Sequence, residues 1–196
     1  MPGEKIWVVK LGGSLAETPE LISWLKRLVA CGGGRVIIVP GGGPFADQVR
    51  KSQLSLGFDD KTAHLMALHA MDQFGLMCCG LEPGLFTAQS FAEIHEVLSQ
   101  RKVALWLPER MLSVNSTLPT SWDITSDSIA AWLARKMNAA HLLLVKFQSV
   151  KIDQLVIADL QASGVVDKDF GEMLVGVDFE WTILGKREYA RFSMTD

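Results

Sequence analysis

The chain has 196 residues, 48% of them apolar and 21% charged, with a net charge of −3 at pH 7. That length buries one good core, and the composition is that of a soluble globular domain. Mild acidity without a long basic run gives no footprint for nucleic acid or an anionic membrane, and the apolar runs are too short to span a bilayer.

Residues 4–11 read as a buried first strand, ending in Lys10-Leu11-Gly12-Gly13-Ser14. Pro19 and Glu20 open a helix to about Cys31, with Leu21, Trp24, Leu25 and Leu28 on its apolar face. Gly32-Gly33-Gly34 stops it. Arg35-Val36-Ile37-Ile38-Val39 is a second strand, unalternating and so covered on both faces. The turn Pro40-Gly41-Gly42-Gly43-Pro44 then opens a helix through Phe45, Val49 and Leu54. Asp59 and Asp60 start a long helix through Leu65, Leu68, Met71 and Phe74, their carboxylates suiting its amino-terminal dipole. Leu81 to Gly84 break that helix. Phe86-Thr87-Ala88 reads as a short strand, and Phe91 to Gln100 as a helix. Val103 to Leu107 is a third buried strand, stopped by Pro108; residues 108–122 are irregular or hold one short helix. Thr125-Ser126-Asp127 caps a helix through Ile129, Trp132, Leu133 and Met137. His141 to Val145 is a fourth core strand with Lys146 at its carboxyl end. Beyond it the pattern weakens: Ile152 to Leu160 is mixed, Phe170 to Val175 suits a helix, and Trp181 to Leu184 a last strand. Strands alternating with helices make an α/β fold with a mainly parallel sheet.

In such sheets ligands bind at the carboxyl ends of the strands. Three distinctive groups fall there: Lys10 with Gly12, Gly13 and Ser14; the Gly41-Gly42-Gly43 turn; and Lys146. Glycines let main-chain amides approach a ligand, a helix start adds free amides and a positive dipole end, and Lys10 adds a full charge. Two glycine turns on neighbouring strands could hold two anionic groups side by side, as phosphoryl transfer requires. Asp127 could orient Lys10 or a metal; its plainer role is a carboxylate facing the helix dipole.

Other motifs carry less. Gly41-x-Gly43-x-x-Ala46 matches the dinucleotide fingerprint, but it follows the second strand and no strand ends in an acidic residue about twenty positions on. No Gly-x-x-x-x-Gly-Lys-Ser/Thr loop occurs. His64 and His69 are spaced wrongly for a helical metal pair, and they read with His95 and His141 as structural or surface residues. Cys31, Cys78 and Cys79 are too few and too badly spaced for a disulfide framework or a zinc cage. No metal ligands are assigned. No leader pattern opens the chain, so a cytoplasmic location is expected.

Val9-Lys10-Leu11-Gly12-Gly13-Ser14, Val39-Pro40-Gly41-Gly42-Gly43 and Thr125-Ser126-Asp127-Ser128-Ile129-Ala130-Ala131 together resemble the amino acid kinase family, the fold of acetylglutamate, aspartate and uridylate kinases. Pro40 to Arg50, Met71 to Gly75, Leu107 to Leu112 and Ser121 to Asp127 are similar to its branch acting on an aminomethylfuran phosphate in methanofuran biosynthesis. The resemblance implies a three-layer αβα sandwich forming one domain over 1–196, with an acceptor-side lobe (1–140) and a shortened nucleotide-side lobe (141–196). It implies Mg2+-ATP as donor, a small phosphorylated acceptor and, by analogy, a homo-oligomer. Lys10 would stabilise the moving phosphoryl group and Asp127 would hold Lys10. Gly12, Gly13 and Ser14, with Lys146, would bind the nucleotide phosphates. Gly41, Gly42, Gly43 and Ser126 would bind the acceptor.

The chain departs from the family where the nucleotide should lie. The usual acidic Thr-Asp-Val-Asp-Gly-like loop is here Lys146-Phe147-Gln148-Ser149-Val150. The phosphate-binding lysine that many members carry near the C-terminus is missing from Gly171 to Gly176, although Lys168 lies close. Three readings stand at this point: a small-molecule kinase, a catalytically silent relative that binds a metabolite or partners an active subunit, and a dinucleotide-dependent oxidoreductase.

Overall fold

The computed structural model describes residues 5–115, 122, 124–150 and 156–194. Ser121, Asp123 and the first part of the mixed 152–160 stretch lie outside them. In chain order the elements are β1 (Trp7–Leu11), α1 (Glu20–Gly32), β2 (Val36–Pro40), α2 (Gly43–Leu56), α3 (Asp60–Leu81), β3 (Leu85–Ala88), α4 (Phe91–Ser99) and β4 (Val103–Trp106). Then follow α5 (Glu109–Asn115), α6 (Ser126–Lys136), β5 (His141–Lys146), α7 (Ile157–Ala162), α8 (Phe170–Met173) and β6 (Glu180–Gly185).

The six strands form one sheet in the order β3-β4-β2-β1-β5-β6, and every pairing is parallel. Strand alternation divides the core into two layers. Val8, Ile37, Val39, Trp106, Leu142 and Leu144 face α4, α6 and α8. Val9, Leu11, Ile38, Leu105, Leu143 and Val145 face α1 and the second half of α3. Both faces are covered, which is why these strands read as unbroken apolar runs.

After β1 the chain runs to β2 on one side; after β4 it returns through α6 to β5 on the other. A crevice opens at such a reversal, at the carboxyl ends of the strands. Parity aims the polar residues into it. Lys10 lies two places after Val8, and Lys146 two places after Leu144, so both ammonium groups leave the sheet on the α6 side.

Some local expectations change. The glycines after β1 do not run straight into a long helix. Gly13–Leu15 is a 3-10 turn, and α1 begins only at Glu20. Leu54 and Leu65 do not join the core; they are 89% and 41% exposed: α2 buries Ala46 and Val49 and leaves its last turn outside, and the first turns of α3 bury Ala63 and Leu68 instead of Leu65. The dinucleotide reading fails on topology: α2 is followed by α3 rather than by a strand, and β3 sits at the sheet edge, away from β2. Among the described residues no helix is long and apolar enough to cross a membrane.

Candidate functional site

At the centre lies one buried carboxylate between two lysines. Asp127, in the first turn of α6, is 3% exposed. Lys146 donates to its Oδ2 at 2.5 Å. Lys10 Nζ lies 2.9 Å from Oδ1, off the angle of a hydrogen bond, so Oδ1 has no aligned donor among the described residues. Burial pushes the Asp127 carboxyl up, but Lys10 and Lys146 outweigh it and leave the group below the ordinary carboxylate range. Burial, then the charge of Lys10, lowers Lys146 to about 8, against the pull of Asp127. Two cations share one anion, leaving a local surplus of positive charge.

The two glycine turns interlock beside this cluster. A Cβ on Gly13 would strike the backbone N and Cα of Gly43, and one on Gly41 would strike Gly13. Gly43 also needs φ of +55°. The amides are divided between tasks. Gly12 N–H donates to Val145 O at 2.9 Å and Gly41 N–H to Leu11 O at 2.8 Å, closing the sheet. Among the described residues the amides of Gly13, Ser14, Gly42 and Gly43 have no partner, and α2 starts at Gly43 with its positive dipole end.

Two cavities open on either side of the first turn. One, of about 270 Å3, takes Gly42, Gly43, Thr125 and Ser126, with apolar walls from Leu68, Met71 and Ile129. The other, of about 560 Å3, takes Lys10, Gly12, Lys146 and residues 147–150, with Gly164 and Val165 opposite. Gly13 and Ser14 belong to both. The sequence-derived residues therefore gather at one place. Gly41 and Asp127 lie behind the cavity walls rather than in them.

Four groups escaped the sequence. His64, read as structural or surface, lines the smaller cavity, and burial lowers its pKa. Arg50 stands 4.6 Å over the Trp122 ring in the same wall, and the indole N–H donates to Gln53 at 2.7 Å. Asp167 takes over the capping of α6. Thr125 occupies the N-cap yet makes no side-chain cap bond; the Asp167 carboxylate accepts from the N–H of Thr125 and Ser128 at 2.9 and 3.0 Å, and from both hydroxyls. No local spacing signals a cap supplied from so far along the chain. Glu188, also from the C-terminal region, accepts from Gly185 N–H at 2.7 Å at the end of β6.

The site suits polyanions better than a protein-held metal. Among the described residues no three His, Cys, Asp or Glu side chains gather to bind an ion, and the one carboxylate at the centre is occupied by lysines.

A sequence profile of the amino acid kinase family matches residues 5–149. The [5-(aminomethyl)furan-3-yl]methyl phosphate kinase of Methanocaldococcus jannaschii is 28% identical over 178 residues, 85% of this chain and 82% of that protein. Uridylate kinase from Archaeoglobus fulgidus superposes with a TM-score of 0.69 at 16% identity, covering 92% of this chain and 90% of that one. UMP kinase from Ureaplasma parvum gives 0.65 at 15% identity, over 93% and 90%. An isopentenyl phosphate kinase gives 0.60 at 12% identity, over 92% and 91%.

Proposed function

The chain belongs to the amino acid kinase family, and from that premise we propose that it transfers the γ-phosphoryl group of ATP to a small phosphorylated acceptor, an aminomethylfuran phosphate. The observation that carries this is the pair of cavities back to back across Gly13 and Ser14, beside two lysines. The acceptor class follows from the curated relative's name and from chemistry. A phosphate monoester is already largely ionised near pH 7, with a second pKa of about 6, so its oxygen attacks without a general base. The shared wall, Gly13 and Ser14, supplies none.

In this reading the nucleotide lies in the larger cavity and the acceptor in the smaller. An acceptor phosphate oxygen bonds to the γ-phosphorus, the bond to the bridging oxygen breaks, and ADP leaves. Lys10 and Lys146 meet the charge on the transferred group and the leaving oxygen. The amides of Gly13 and Ser14 hold the donor phosphates, while Gly42, Gly43 and Ser126 hold the acceptor, with Gly12 and Gly41 shaping the turns. Asp127 keeps both lysines in place. Mg2+ would travel with the nucleotide phosphates and neutralise part of their charge. In this reading the acceptor-side lobe (1–140) walls the smaller cavity and the nucleotide-side lobe (141–196) most of the larger one, with Gly13 and Ser14 serving both. The exposed leucines of α2 and α3 are where a second copy of the chain would sit in a homo-oligomer.

The test is ADP release from Mg-ATP, with and without [5-(aminomethyl)furan-3-yl]methyl phosphate, for the wild type and Lys10→Ala. We expect acceptor-dependent release, lowered in the variant by about 100-fold or more, as for loss of one preorganised charge-stabilising group. Wild-type protein that binds the furan phosphate yet releases no ADP would replace this reading with the silent-relative one.

A further inference from the structure

Asp167 lines neither cavity, yet it ties the wall of one to the wall of the other. It lies in the segment between α7 and α8, whose Gly164 and Val165 face the larger cavity and whose Val166 is anchored in the core. Its carboxylate holds Thr125, which with Ser126 lines the smaller cavity. It also holds Ser128, the residue after Asp127, by main chain and hydroxyl. The N–H of Ser128 is the third of the helix, the donor that an N-cap side chain ordinarily satisfies. Here the satisfying oxygen comes from a segment 39 residues away.

This costs the protein a second carboxylate near the first. Burial and the charge of Asp127 push Asp167 up, against the hydrogen bonds from Ser128 and Thr125. A local Ser or Thr cap would have avoided that repulsion. Thr125 already stands at the N-cap but spends its hydroxyl on Asp167 instead.

We propose that Asp167 is a positioning residue: by clamping the first turn of α6 to the wall of the larger cavity, it sets Asp127 between Lys10 and Lys146 and sets Thr125 and Ser126 against the acceptor. This rests on the kinase reading for its catalytic consequence, though not for its geometric one. A misplacement of about 1 Å in a transfer site costs about 100-fold, so Asp167 governs kcat more than either KM.

The experiment compares Asp167→Ala and Asp167→Asn with wild type in two ways. The first is the titration of Lys146 by NMR of protein labelled at the lysine side chains, assigned with Lys146→Met. Lys146 faces Lys10 and Asp127, the two charged groups that shift it. If Asp127 drifts out of place in Asp167→Ala, Lys146 loses its counter-charge and titrates at lower pH. The amide oxygen of Asn can still accept both main-chain N–H groups, so Asp167→Asn restores the wild-type midpoint. The second is steady-state turnover, where Asp167→Ala is expected to lose about 30- to 100-fold in kcat with both KM values within about threefold, and Asp167→Asn to recover most of it. An Asp167→Ala protein that melts at lower temperature but keeps the wild-type lysine titration and kcat makes Asp167 a plain helix cap and overturns the proposal. If the wild type itself turns nothing over, the kinase reading fails while the lysine titration still decides the role of Asp167.

Discussion

Lys146 and Asp127 stand 2.5 Å apart, at the end of β5 and the start of α6, and the same carboxylate faces Lys10 on its other oxygen. The family's acidic loop would begin at this position. Here it begins with a cation, so two lysines flank one buried carboxylate.

Lys146 sets a pH limit. Its folded pKa of about 8 lies below the ordinary lysine value of 10.5. Activity that needs the ammonium falls as pH rises through about 8, whereas stability moves the other way. The unfolded chain binds the extra proton between about pH 8 and 10.5, so the cost of the buried ammonium is present below 8 and is relieved across that window, by up to about 1.4 kcal/mol per pH unit. Lys146→Met should lower kcat by about 10- to 100-fold, remove the alkaline limb near pH 8 and flatten the rise in stability. A pH–rate profile with parallel urea melts checks both.

Asp127→Asn should leave two ammonium groups together without a counter-charge. Breaking a buried pair this way costs about 3–5 kcal/mol, and kcat should fall by at least about 100-fold. Adding Lys146→Met to Asp127→Asn should recover part of the stability and none of the rate. Urea unfolding of the two single variants and the double variant measures that non-additivity.

Gly13→Ala should force the two glycine turns apart, because its Cβ meets main-chain atoms of Gly43 that no rotamer can move. A stability loss of about 1–3 kcal/mol should accompany near-complete loss of turnover. Gly57→Ala is the comparison. Gly57 has φ of +71° and open space around it, so the variant should lose about 1–2 kcal/mol from backbone strain and keep its kcat.

Asp72→Asn should change stability against pH without touching the site. Burial, then the charge of Glu109, raises Asp72 to about 6, despite the Glu109 N–H that donates to it. The folded state holds its proton more tightly than the unfolded chain, so this residue's contribution is full below about pH 4 and is lost as pH climbs through 6. Melts of both proteins at pH 4 and 6.5 should show the wild type losing more than the variant over that interval.

Most of the sheet was legible because Val36 to Val39 and Leu142 to Val145 are short apolar runs without alternation, the pattern of a strand covered on both faces. Lys10 and Asp127 were legible as polar residues at the two places where a parallel sheet leaves room for a ligand. Parity along β1 and β5 would also have put Lys10 and Lys146 on one face. Asp167 was invisible because a cap supplied across 42 residues leaves no local spacing. His64 was missed for a related reason: a half-buried histidine on a helix reads the same whether its neighbour is core or cavity. Leu54 and Leu65 fit a helical stripe, but periodicity cannot tell which turns of a stripe extend past the surface beneath them.

Gly13 and Gly43 touch through main chain alone, so where they meet, the partition between the cavities has no side chain to alter, and Ser14 is the one residue of the shared wall that carries one. The separation of the two cavities at Gly13 is then set by the backbone, while most of the side chains that distinguish one cavity from the other sit farther out along their walls. In the transfer proposed above, substitutions in the far walls would exchange one acceptor for another without moving the place where the two cavities meet.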